Sequence, residues 1–140
     1  MWLPGVAVAR AAGRHLAVGT TLRVRGSRAA ARSVARWLNR HGLAAEAESA
    51  QTAGSSVEAL VLLGKFDERS AAAAALSLRD GGRLVLCQVR PARRGHAMNL
   101  TAWLAEAGFI GIGQRSSAGL LPVQTTFGTL RQLPGAPKEA

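Results

Sequence analysis

The sequence predicts an α/β fold in which a mostly parallel sheet carries helices on both faces. Three observations lead there. Strand-like and helix-like stretches alternate along the chain, the order that builds parallel βαβ units. The stretch 57–63 is apolar apart from Glu58, as a strand covered on both faces must be. The last two strand-like stretches, 109–114 and 123–133, are joined only by residues 115–122, so they close the sheet as an antiparallel hairpin. The chain has 140 residues, which suits one domain around a single core.

The elements follow in order. Residues 1–20 are rich in Ala and Val, and Pro4-Gly5 is expected to break any helix near the start. They read as a basic N-terminal extension. Their Arg-rich, acid-free composition is also that of a mitochondrial presequence. Residues 21–26 alternate Leu22 and Val24 with Arg23 and Arg25, the period of a short strand. Gly26-Ser27 turns the chain, with Ser27 as the expected N-cap. In the helix 28–40, Ala30, Ala31, Val34, Trp37 and Leu38 share one face, and His41-Gly42 ends it. Residues 43–48 offer a second, weak strand, and 51–56 a loop. After the strand 57–63, a helix spans 65–79 with Asp67 as N-cap and Glu68 in its first turn. Asp80-Gly81-Gly82 turns into a strand at 83–89. A basic loop at 91–95 leads to a helix at 100–107, capped by Asn99 and closed by Gly108. The domain is expected over 21–133, with 134–140 as a tail. This alternation is a Rossmann-like layout.

Charge divides the chain. Residues 1–45 hold eight arginines and no acidic residue, whereas the other ten basic residues are opposed by eight acidic ones. A basic half joined to a nearly neutral half points to an anionic partner or a targeting segment. The single cysteine, Cys87, excludes a disulfide framework and a cysteine-based metal cluster. Its strand neighbours make it a buried, inert thiol rather than a nucleophile. The three histidines show no metal-ligand spacing, so no metal is expected. No apolar run approaches the roughly 18 residues of a membrane span.

Three motifs carry a resemblance. They are the strand Val57-Glu58-Ala59-Leu60-Val61-Leu62-Leu63, the stretch Leu78-Arg79-Asp80-Gly81-Gly82-Arg83-Leu84-Val85-Leu86, and Leu104-Ala105-Glu106-Ala107-Gly108-Phe109. In this order and spacing, residues 56–133 resemble the C-terminal half of class I S-adenosylmethionine-dependent methyltransferases. That resemblance implies a cofactor site in the first half, made of a glycine-rich turn after the first strand and a carboxylate after the second. Here the turn is Val24-Arg25-Gly26-Ser27-Arg28, with one glycine and two arginines. Arginines oppose the sulfonium cation of the cofactor. Gly26, Gly64 and a carboxylate, Glu46 or Glu48, are the cofactor-binding candidates.

Between Glu48 and Val57 there is room for a loop only, where the family has a further helix and strand. The expected fold is therefore Rossmann-like and truncated by one βα unit. The whole is similar to non-catalytic methyltransferase-like domains, which implies no cofactor, or S-adenosylmethionine if the chain is active.

Other residues have candidate roles. Arg28, Arg32, Arg36 and Arg40 recur every four residues, a basic stripe that suits phosphate, acidic lipid, an acidic protein surface or plain solvation. Arg90, Arg93, Arg94 and His96 cluster after the strand 83–89, at the edge that lines a substrate crevice in such folds. There His96 is the one candidate general base, its alternative being an exposed loop histidine. The expected function is a non-catalytic interaction or scaffold module with a protein partner. The alternatives are an active methyltransferase with an atypical cofactor turn, and a basic RNA or ribonucleoprotein component. The expected location is cytoplasmic, with the mitochondrial matrix as the alternative.

Overall fold

The computed structural model describes residues 5–49, 56–64, 66–89, 94–116 and 123–131, with side chains from Val6 onward and without those of 94–98. The elements are α1 (Gly5–Gly13), β1 (Thr21–Arg25), α2 (Arg28–Arg40), β2 (Ala44–Ala47), β3 (Val57–Leu63), α3 (Glu68–Ser77), β4 (Leu78–Gln88), α4 (Arg94–Glu106), β5 (Phe109–Ser116) and β6 (Gln124–Leu130). One six-stranded sheet has the order β2-β1-β3-β4-β6-β5. β2, β1, β3 and β4 run parallel, and β6 pairs antiparallel with both β4 and β5. The predicted sheet and closing hairpin are therefore present.

Side chains alternate across the sheet and build a core on each face. On one face Leu22, Val24, Ala59, Val61, Val85 and Cys87 pack under α1 and α2. On the other, Leu60, Leu62, Leu84 and Leu86 pack under α3 and α4 with Leu100 and Leu104. Leu60 and Leu84 are wholly buried.

Several boundaries differ from the sequence reading. A helix, α1, forms within residues 1–20, where none was expected, and Val8, Ala9 and Ala12 on it are fully buried. It starts directly after Pro4: a proline bars continuation through itself but is tolerated at a helix start. Ser27 makes no side-chain cap to α2. Trp37 is only half-buried, and the buried stripe of α2 is Ala30, Ala31, Val34, Ala35 and Leu38. Gly42 beyond the helix has a φ of 88°, a left-handed conformation that favours glycine.

Asp67 does cap α3. It accepts from the Ser70 backbone N–H at 2.9 Å while the Asp67 backbone N–H donates to Ser70 Oγ at 3.3 Å, a reciprocal capping box. The Ser70 N–H, and at 3.1 Å the Ser70 hydroxyl, both donate to the Asp67 carboxyl and hold it below the usual aspartate value.

The chain leaves α3 for β4 at Leu78, earlier than expected. Leu78 pairs with Val57 and Arg83 with Ala59, so Asp80-Gly81-Gly82 lies inside a bulge of β4. α4 begins at Arg94, which places Asn99 inside the helix rather than at its cap, and takes Arg94 and His96 out of the expected loop.

Candidate functional site

The sheet has a topological switch point. From β1 the chain crosses by α2 to β2 on one side, and β3 then lies on the other side of β1. In open α/β sheets the ligand crevice lies outside the carboxyl ends of the strands at such a point. Here those ends are Arg25-Gly26 on β1 and Leu63-Gly64 on β3.

Arg25 dominates this place. Val24 points into the core beneath α1 and α2, so period two turns Arg25 to the opposite face. Val24 pairs with Ala47, which brings the next residues of the two strands, Arg25 and Glu48, side by side. Arg25 Nε donates to both carboxylate oxygens of Glu48, at 3.0 and 2.9 Å, and Nη2 lies 2.8 Å from Oε2. Nη2 also donates to Ser77 Oγ at the end of α3, at 2.7 Å. The pair is largely withdrawn from water, the side chains of Arg25 and Glu48 being 24% and 18% exposed. A guanidinium held by several charge-assisted bonds has little freedom to move. Neither Glu48's partner nor the role of Ser77 is visible in the sequence, although the alternation Leu22-Arg23-Val24-Arg25 already sets the arginine face.

The other cofactor candidates are arranged unequally. A Cβ on Gly26 would stand 2.9 Å from Leu63 Cβ, so the absence of a side chain there serves the packing of β1 against β3. Gly64 has a φ of 114° and open space where a side chain would begin. Glu46 is exposed on β2.

Of the anion-binding candidates, Arg28, Arg32, Arg36 and Arg40 are all exposed along α2. Arg32 and Arg36 border a shallow hollow of about 440 Å³ between α2 and β2, with Asn39, Ala45 and Ala47. β2 is an edge strand, yet Asn39 closes part of it: its carboxamide donates to the Ala45 carbonyl at 2.9 Å and accepts from the Ala45 N–H at 2.6 Å. Arg90 and Arg93 lie outside the described residues. Arg94 and His96 are on the first turn of α4.

A second polar group lies elsewhere, at a histidine the sequence marks only as structural or solvated. His15, after α1, is half-buried, stacks on Phe127 with ring centroids 4.3 Å apart, and bonds Thr125 Oγ1 at 2.9 Å. Burial first, then Arg83, Arg115 and Arg14, push its pKa down from 6.5. Arg83 lies over the same Phe127 ring at 5.5 Å. Cys87 is buried as expected, and burial alone pushes its thiol up to about 12. Among the described residues no group of three or more His, Cys, Asp or Glu gathers to hold a metal, and no helix is long and apolar enough to cross a membrane.

Strand order, switch point and closing antiparallel pair together define a class I methyltransferase-like fold. Solved structures give the same answer. The chain is similar to a chain of the Haloferax volcanii complex between the Trm112 methyltransferase activator and a methyltransferase, at 13% identity and a TM-score of 0.60 over 91% of each chain. It is similar to an S-adenosylmethionine-dependent O-methyltransferase from Thermotoga maritima at 14% identity and a TM-score of 0.57, covering 94% of this chain and 66% of that one. A methyltransferase from Pyrococcus furiosus matches at 8% identity and a TM-score of 0.57, over 88% and 81%. The chain spans about half, 49%, of the length of another match, the S-adenosylmethionine-dependent methyltransferase SibL. At these identities the likeness is one of fold. No protein-family model and no curated protein matches the chain.

Proposed function

We propose that this chain is a non-catalytic methyltransferase-like domain that acts as a protein-interaction module. The observation that carries the reading is the Arg25–Glu48 pair at the switch point. In this reading Glu48 stands where a ribose-binding carboxylate belongs, and Arg25 already bonds both of its oxygens. On the same reading the residues present suit S-adenosylmethionine poorly: an arginine at the end of β1 opposes a sulfonium, and a Cβ at Gly26 would meet Leu63, so that glycine serves packing. The short path from Glu48 to Val57 leaves β2 as the sheet edge and removes one wall of the crevice.

The interaction surface is the arginine stripe of α2 beside that edge, which suits an acidic protein partner in the cytoplasm or the mitochondrial matrix. One of the similar folds is found in a complex with an activator protein, which fits a module of this kind. The test has two parts. Added S-adenosylmethionine should leave the melting temperature unchanged. Charge reversal of Arg32 and Arg36 should abolish capture of an acidic partner. A second reading, a basic ribonucleoprotein component, draws on the same four exposed arginines. It requires RNA affinity that falls steeply with salt and weakens on the same charge reversal.

A further inference from the structure

The opposite end of the sheet carries a different feature. Before β1 and β2 begin, the chain passes through Leu16, Val18 and Leu43, close to the C-terminal ends of α1 and α2. These residues and Trp37 line a half-open, mainly apolar hollow of about 240 Å³, to whose wall Arg10 and Arg14 also contribute. Several bonds fix its wall. The Gly19 N–H donates to the Gly42 carbonyl at 2.8 Å, and the Leu43 N–H donates to the Leu38 carbonyl at 3.1 Å. His41 stacks on Trp37 with centroids 3.6 Å apart, and its Nδ1 donates to the Trp37 carbonyl at 2.8 Å. The indole is thus held in place, half-buried, as one side of the hollow.

Composition and charge restrict what fits. Hydrocarbon walls favour an apolar body, and Val18, 82% exposed, leaves apolar surface that a ligand would cover. Arg10 and Arg14 are exposed, and among the described residues neither is ion-paired. Residues 1–45 contain no carboxylate to neutralise them. The hollow is smaller than the ~300–1,000 Å³ of a drug-sized site. A guanidinium matches a carboxylate in shape and charge.

We propose that this hollow is a binding site for a small amphiphilic carboxylate, its hydrocarbon body against Trp37, Leu16, Leu43 and Val18 and its carboxylate on Arg14 and Arg10. The site lies at the amino ends of β1 and β2, away from the switch point, and does not depend on whether a cofactor binds there.

Calorimetry with sodium octanoate and the full chain tests it. Octanoate should bind one to one, and octan-1-ol about tenfold or more weakly, since it lacks the charge. Arg14→Gln should weaken octanoate roughly tenfold and leave octanol unchanged. Val18→Glu, at an exposed position that spares the core, should abolish octanoate binding by placing a carboxylate at the mouth. Equal affinity for acid and alcohol, no effect of Arg14→Gln, or no octanoate binding would each overturn the proposal. Sedimentation with phosphatidylglycerol vesicles separates a free carboxylate from a lipid surface. Vesicle binding lost in Arg14→Gln, without octanoate binding, would overturn it in favour of a membrane contact.

Discussion

The two sides of the switch point are built differently. On one side, β3 and β4 bring Leu60, Leu62, Leu84 and Leu86 to one face and Val61, Val85 and Cys87 to the other, so both faces are apolar but for Arg83, which lies over Phe127. On the other side, β1 is apolar on one face only. Its second face carries Arg23 and Arg25, and its outer neighbour β2 is four residues long. The same fold therefore contains a half that specifies packing and a half that spends its inward positions on charge. That difference accounts for Arg25 and Glu48: a charge turned inward at the end of a strand needs a partner, and the next strand supplies it.

The largest expected effect tests the apolar half. Leu84→Ala removes a wholly buried side chain from the leucine face and should cost about 2–5 kcal/mol in urea denaturation. A loss as small as that of a surface substitution would show that β4 does not anchor the sheet.

The next tests the charged half. Arg25→Ala strands a half-buried carboxylate and should cost about 1–3 kcal/mol. Arg25→Ala with Glu48→Ala should be less destabilising than the two single changes summed, and a double-mutant cycle that returns zero coupling would remove the pair from the account.

Smaller effects come from His15 and Asn39. The folded pKa of His15 is depressed, so the fold prefers its neutral form. Its contribution is present above the ordinary value of 6.5 and is lost as pH falls through that value and the lower folded one. His15→Gln should flatten the stability profile in that window, and an NMR titration should place the His15 midpoint below 6.5. Asn39→Ala frees the outward N–H and carbonyl of Ala45 on the edge strand. It should leave stability almost unchanged and increase self-association, read by sedimentation velocity. A variant that stays monomeric would show that the edge is closed by something other than the carboxamide.

The apolar half was also the legible half. Continuous runs such as Val57–Leu63 and the repeated turn residues define strands by local pattern alone, and the parallel order followed from their alternation with helices. Two local rules misled. Pro4-Gly5 was read as a break, whereas α1 starts at Gly5, and its alanines and Val8 supply too weak a periodic signal to stand out. Asn99 was read as a cap because a cap and an interior position differ only in what the preceding residues do.

The site was legible in part. Two arginines around a lone glycine marked the turn after β1 as unusual for the family it resembles. That Arg25 reaches Glu48 and Ser77 rests on contacts across 23 and 52 residues of sequence, which no local pattern encodes. The same holds for His15 and Thr125, separated by 110 residues.

The proposed non-catalytic role requires that the Arg25–Glu48 pair leave no site for S-adenosylmethionine. Calorimetric titration of S-adenosylmethionine into the intact chain tests it most directly. The account predicts no binding heat at millimolar ligand. Saturable one-to-one binding at micromolar ligand, abolished by Glu48→Gln, would contradict it.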